Sequence, residues 1–204
     1  MNTPYIIGIC GGSGSGKTTF LENIISHFAQ NQLSTISLDH YYNPIHEIPA
    51  DENGVKNFDD PTGLDIKSFE SDIEALMAGQ PVFKMEYNYN NPTLKVKQMH
   101  ILPAPVIVVE GIFLYYFENI KNKLALKIFV DTPQPLRAQR RIMRDTTYRG
   151  NSAEEVQYSI VHHVEPAYQK YILPYIYESD IIVPNSENMH KATEVIVGHI
   201  QGML

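Results

Sequence analysis

The densest chemistry in the chain sits in Gly11-Gly12-Ser13-Gly14-Ser15-Gly16-Lys17-Thr18, followed by Thr19. The run satisfies G-x-x-x-x-G-K-[ST], the phosphate-binding loop. Glycines let the backbone turn tightly, so that successive N–H groups point inward and cradle an anion. The helix that must follow adds the positive end of its dipole. Gly11 through Thr19 are therefore the expected nucleotide-binding residues. Lys17 would reach the β and γ phosphates, and the Thr18 hydroxyl would ligate Mg²⁺. No N/T-K-x-D motif for guanine recognition occurs, which argues against a GTPase but leaves both ATP and GTP open as phosphoryl donors.

Two acids stand where such a loop needs them. Glu110 closes the apolar run Val106–Val109, and a carboxylate there can hold a water on Mg²⁺. Asp39 directly follows Leu33–Leu38. In an open α/β sheet the ligand crevice lies outside the carboxyl ends of the strands, which puts Asp39, Glu110 and the glycine loop at one edge. A carboxylate so placed could accept the proton of a hydroxyl attacking the γ-phosphate. Capping a turn is the competing job for this aspartate. The chain's five arginines all lie between Arg137 and Arg149, a stretch that carries +4 in a chain of net charge −7. On a helix, Arg137, Arg141 and Arg144 share one face, joined by Arg140 and, across the turn, Arg149. Phosphoryl transfer needs positive charge around the equatorial oxygens. An acidic protein with one arginine patch is built to hold a small anion, and its overall charge disfavours a nucleic-acid partner.

The elements that must position these groups alternate. Tyr5–Cys10 reads as a buried strand, residues 17–30 as a helix with Phe20, Leu21, Ile24, Ile25 and Phe28 on one face, and Leu33–Leu38 as a second strand. Residues 39–57 read as a loop. Residues 65–77 form an amphipathic helix with Asp65 as N-cap and Gly79 past its end. Residues 82–102 alternate around Asn90-Asn91-Pro92, which predicts an inserted β-hairpin. Apolar strands follow at 106–109, 126–130 and 180–183, with helices at 134–148, 153–171 and 188–200. Near-continuous apolar strands alternating with helices indicate a parallel sheet covered on both faces. The expected fold is α/β: a P-loop NTPase with three α/β/α layers, a five-stranded mostly parallel core sheet, an inserted β-hairpin and a helical lid. It forms one kinase domain over residues 1–204, with the acceptor-binding hairpin at 82–102 and the arginine-rich lid at 134–172.

Composition bounds the rest. The chain has 204 residues, 43% apolar and 19% charged, which excludes disorder and a disulfide scaffold. Cys10 is the single cysteine and reads as a small buried residue. No apolar run approaches the length of a bilayer, and no basic leader precedes Tyr5. A cytoplasmic protein with no membrane partner is expected.

The chain resembles the uridine kinase (uridine–cytidine kinase) family, within the phosphoribulokinase/uridine kinase group, over Ile7 to Gly198. The resemblance is carried by the glycine loop, Ser37-Leu38-Asp39-His40-Tyr41-Tyr42, Asn57-Phe58-Asp59-Asp60-Pro61, Val109-Glu110-Gly111-Ile112, Ile128-Phe129-Val130-Asp131-Thr132, Arg140-Arg141-Ile142-Met143-Arg144-Asp145, Arg149-Gly150 and Asp180-Ile181-Ile182-Val183-Pro184. It implies catalytic roles for Asp39 as the base on a ribose 5′-hydroxyl, for Lys17, and for Arg144 and Arg149 as lid arginines on the phosphates. It places Asp39 with Thr18 and Glu110 around Mg²⁺. Asp59 and Arg141 match the pair that grips the ribose hydroxyls, Tyr42 lies near the acceptor, and Tyr87 and Tyr89 match aromatic positions around the base. It also implies a homo-oligomer, the tetramer being common in the family.

Departures fall in the base-reading shell. Pro92 stands where the family has a pyrimidine-contacting histidine, Asn151 where it has an arginine, and Ser159 where it has a glutamine, with Gln157 nearby. His100, His162 and His163 read as surface or packing residues rather than replacements. Loss of such donors removes discrimination. The leading expectation is ATP- and Mg²⁺-dependent phosphorylation of the 5′-hydroxyl of uridine, with cytidine as a further candidate, in pyrimidine salvage. The alternatives are a kinase of the same group acting on another nucleoside, a sugar phosphate or a small alcohol, and a nucleotide-binding regulatory module without turnover.

Overall fold

The computed structural model describes residues 3–88 and 95–204. Among these, five parallel strands form one sheet in the order β2-β5-β1-β6-β7: β1 (Tyr5–Cys10), β2 (Leu33–Ser37), β5 (Val106–Glu110), β6 (Leu126–Asp131) and β7 (Ile181–Pro184). β3 (Val82–Met85) and β4 (Gln98–Ile101) pair antiparallel as the inserted hairpin, whose expected turn at Asn90-Asn91-Pro92 lies outside the described residues.

Strand alternation splits the core in two. Ile7 and Ile9 of β1, Val106 and Val108 of β5, and Ile128 and Val130 of β6 point to one face. There they meet Phe20, Leu21 and Ile24 of α1 (Lys17–Ile25) and Ile196, Val197 and Ile200 of α7 (His190–Gln201). Ile6, Ile107, Val109 and Phe129 point to the other face, against Phe69, Ile73 and Leu76 of α2 (Ile66–Met77). Buried Tyr115 packs within this second layer, and its hydroxyl lies 2.9 and 2.8 Å from the carbonyls of Gly8 and Ile128, its one hydrogen shared between them. That satisfies a polar atom that burial would otherwise penalise.

Several elements differ from expectation for identifiable reasons. α1 stops at Ile25 instead of continuing to residue 30. Ser26 Oγ donates to the Asn23 carbonyl, and the Ala29 amide donates to Gln32 Oε1. Side chains thereby take over groups the helix ladder needs. β2 ends one residue early because Ser37 Oγ accepts from the Asp39 amide and starts a 3₁₀ turn over Leu38–Tyr41. α2 begins as expected, with Asp65 accepting from the Ser68 amide at 3.1 Å. A short helix, α3 (Glu118–Lys121), is present where the apolar pattern predicts no element.

Beyond α4 (Gln134–Tyr148), the helix expected over 153–171 is α5 (Ala153–Ser159), a π-helical stretch over Ile160–Val164, the short α6 (Glu165–Ala167) and a second π stretch over Tyr168–Ile172. Each π stretch lies just ahead of a proline, Pro166 or Pro174. A proline has no N–H to give the carbonyl four residues back, and the widened turns absorb the gap.

Candidate active site

Strand register assembles the site. Glu110 pairs with Ile9 of β1 on one side and with Ser37 of β2 on the other. The glycine loop after β1, Asp39 after β2 and Glu110 at the end of β5 therefore emerge at one sheet edge, as the crossover rule requires. A cleft of about 780 Å³ opens there, and Lys17, Thr18, Asp39, Asp59, Glu110 and Arg141 all line it.

The loop is shaped by glycine. Gly16 caps α1 at φ +93°, and a Cβ on it would collide with the Asn185 amide. That amide donates to the Ser15 carbonyl at 2.7 Å, and Thr132 Oγ1 donates to the same carbonyl at 2.9 Å. The loop is thus braced from behind by β6 and β7. Lys17 is buried and its Nζ donates to the Gly12 carbonyl at 3.2 Å. Ser13, Gly14, Gly16, Lys17, Thr18 and Thr19 face the cleft, whereas Gly11, Gly12 and Ser15 form its buried underside.

Glu110 is buried, and its Oε1 accepts from Ser37 Oγ at 2.6 Å. Desolvation and then the Asp39 charge push its carboxyl up to about 6, while Lys17 pulls it the other way. Two acids thus crowd one end of the cleft. Among the described residues no three His, Cys, Asp or Glu side chains cluster as a self-sufficient metal cage. This hard-oxygen set, short of a full shell and too negative for its single lysine, fits Mg²⁺ shared with phosphate oxygens and waters.

The opposite wall is cationic. Arg141 makes a bidentate pair with Asp59, at 3.1 Å from Nη1 to Oδ1 and 3.0 Å from Nη2 to Oδ2, and Nη1 also donates to Ser13 Oγ at 2.9 Å. Asp145 holds the arginines together: its Oδ1 accepts from Arg144 Nε at 2.7 Å and lies 3.3 Å from Arg149 Nη1, and its Oδ2 lies 3.3 Å from Arg141 Nε. Burial pushes the Asp145 carboxyl up, but these guanidiniums hold it below the usual carboxylate range. Arg140 also lines the cleft, and its buried Nη1 has no hydrogen-bond partner among the described residues. An unmet donor beside the phosphate loop suits an anionic ligand.

Not every expected residue reaches the cleft. Arg137, placed by helical spacing with Arg141 and Arg144, instead turns behind the glycine loop. It is buried against Gly12, sits 3.6 Å over the Tyr168 ring and pairs with Glu165 at 3.3 Å. Tyr42 lines the cleft, and Tyr87 packs on it with ring centroids 5.4 Å apart. Phe58, not singled out in the sequence, completes this aromatic group at 5.6 Å from Tyr42. Tyr89 and Pro92 lie outside the described residues. Asn151 and Ser159 both line the cleft. His100 stacks on Phe83 at 4.4 Å away from it, and His162 stacks on Tyr158 at 4.3 Å. Asp145 closes the Arg140–Asp145 run in the sequence without a role assigned to it there. Its i and i+4 spacing with Arg141 and Arg149 was the available signal of a hub.

The profile of the Phosphoribulokinase / Uridine kinase family matches residues 6–191. The chain belongs to that family. A Uridine kinase from Deinococcus deserti is 32% identical over 198 residues, covering 97% of this chain and 96% of its own. Uridine-cytidine kinase B from Dictyostelium discoideum is 33% identical over 201 residues, covering 98% of this chain and 83% of its own. The solved phosphoribulokinase from Rhodobacter spheroides superposes with a TM-score of 0.60 at 17% identity, over 92% of this chain and 74% of that one, a likeness of fold. A member of the phosphoribulokinase/uridine kinase family is a phosphotransferase built on the P-loop kinase fold. No helix among the described residues is long and apolar enough to cross a membrane.

Proposed function

We propose that the protein transfers the γ-phosphoryl group of ATP, with Mg²⁺, to the 5′-hydroxyl of uridine, with cytidine as a second acceptor, in pyrimidine salvage in the cytoplasm. The observation that carries this reading is the bidentate Arg141–Asp59 pair facing the same cleft as Lys17 and Asp39. A carboxylate and a guanidinium held side by side match the vicinal diol of a ribose, accepting from one hydroxyl and donating to the other. The uridine kinase relatives support a nucleoside acceptor.

In this mechanism the backbone amides of the glycine loop and Lys17 bind the triphosphate. Thr18 and Glu110, with Asp39, would hold Mg²⁺, which when bound supplies charge neutralisation between the phosphates. Asp39 takes the proton of the attacking 5′-hydroxyl. Arg144 and Arg149 face the developing charge on the equatorial oxygens, and closure of the arginine wall excludes water that would otherwise compete as acceptor. Tyr42 and Tyr87 would border the base.

Asn151 and Ser159 at the acceptor end favour one second reading, a different hydroxyl acceptor in the same cleft. A panel of uridine, cytidine, purine nucleosides, sugar phosphates and small alcohols, followed by ADP release with ATP or GTP, separates the two. Uridine turnover at the acceptor-free background, with another acceptor clearly above it, would replace the first reading by the second.

A further inference from the structure

One cluster outside the transfer machinery joins two parts of the cleft wall. Asp51 lies in the loop between the 3₁₀ turn at Leu38–Tyr41 and α2, and Tyr158 and His163 lie on α5 and the π stretch behind it. The Tyr158 hydroxyl donates to Asp51 Oδ2 at 2.7 Å, and His163 Nε2 bonds the same oxygen at 2.7 Å. Asn53 Nδ2 donates back to the Tyr158 hydroxyl at 2.8 Å. The other carboxylate oxygen, Oδ1, accepts from the amides of Asn53 and Val55, each at 2.9 Å, and so shapes its own loop. Burial raises the carboxyl's pKa, yet these donors hold it well below the usual carboxylate range. His163 is only 3% exposed, so a buried imidazole is committed to this contact.

The position of the cluster gives it a consequence. Val55 and Lys56 from the loop and Tyr158 and Ser159 from α5 all line the cleft, so the cluster ties together two separate segments of its wall. The chain between Asp51 and the lid contacts spans more than 100 residues, so nothing local fixes this spacing. Asp51, Asn53 and His163 do not line the cleft, whereas Tyr158 does, so Asp51→Asn is the variant that separates the latch from a direct acceptor contact. Given the nucleoside-kinase reading of the site, on which this rests, the segments they join share the cleft with the Asp59–Arg141 pair that would grip the acceptor.

We propose that Asp51, with Tyr158 and His163, is a latch that sets the width of the acceptor end of the cleft, so that these are specificity-determining positioning residues for the acceptor. Deleting one hydroxyl at the latch then loosens acceptor binding without touching the atoms that react. For Tyr158→Phe the expected result is a rise of about tenfold in the KM for uridine, the size of one hydrogen bond to a charged group. Turnover at saturation should stay within about twofold and ATP affinity should be unchanged. Asp51→Asn keeps Oδ1 for the loop amides and should move KM the same way.

The experiment measures full-length wild type, Tyr158→Phe and Asp51→Asn by steady-state kinetics and by amide hydrogen exchange in parallel. Concerted faster exchange at residues 51–56 and 158–163 in both variants, with KM raised and turnover held, supports the latch. Unchanged KM with wild-type turnover intact, or unchanged exchange in either segment, overturns it even if the variants melt earlier. A wild-type enzyme that does not phosphorylate nucleosides instead overturns the functional reading. The exchange arm then decides the latch, and the acceptor found by the panel replaces uridine in the kinetics.

Discussion

Glu110→Gln separates what the site needs for chemistry from what the fold would prefer. The wild-type carboxyl is shifted from 4.5 to about 6 by burial and by the Asp39 charge. Below pH 4.5 the folded and unfolded chains both hold this proton. Between 4.5 and about 6 only the folded chain does, so stability falls as pH rises through that window, and above it the full cost is in place. The span corresponds to about 2 kcal/mol. Glutamine cannot titrate, and its Oε1 can still accept the 2.6 Å bond from Ser37. Relative to wild type, the variant should therefore gain about 2 kcal/mol between pH 4.5 and 7, or roughly 4–8 °C in Tm for a chain of this size. Far-UV circular dichroism melts of nucleotide-free protein in chelator are the assay, since the chain has no tryptophan to report by fluorescence. Taking the difference between the two proteins cancels the titrating groups remote from Glu110. A difference in Tm that stays flat across the window would refute the reasoning. The same substitution should abolish most Mg²⁺-dependent turnover, so stability and activity move in opposite directions.

Asp39→Asn should keep ATP binding and lower kcat by about 10²–10⁴-fold, the usual contribution of a positioned base; ADP release and nucleotide titration measure the two sides, and unchanged turnover removes the assignment. Asp59→Ala leaves the buried Arg141 guanidinium without its bidentate partner, although Asp145 remains. It should cost toward the lower end of about 3–5 kcal/mol in denaturant unfolding and raise acceptor KM. Gly16→Ala forces a side chain at φ +93° into the Asn185 amide; strain of at least about 1–2 kcal/mol should appear in Tm, with weakened nucleotide binding by equilibrium dialysis.

What could be read from the sequence is what local rules govern. The glycine loop is contiguous, and its strand–loop–helix context is set by neighbours in the chain. The apolar runs of β1, β5 and β6 announce a sheet buried on both faces, and Asp65 and Gly79 punctuate α2. Features that arise from groups distant in sequence were less legible. Helical spacing put Arg137 with Arg141 and Arg144, but the face it occupies is decided by Tyr168 and Glu165, which stack and pair with it from another helix. The π stretches required knowing where the free carbonyls ahead of Pro166 and Pro174 would turn. The Asp51 cluster joins residues more than 100 positions apart, and no periodicity reports such a meeting. The acids and arginines of the site fell between these cases, because sheet topology places the ends of parallel strands together once the strands are known.

Asp145 has one more implication. Five guanidiniums packed into a short stretch would attract any polyanion, yet a fixed carboxylate sits within 3.3 Å of three of them. This resident counter-ion fixes where Arg141, Arg144 and Arg149 point before any ligand arrives, so an incoming anion meets donors already ordered and spends less on arranging them.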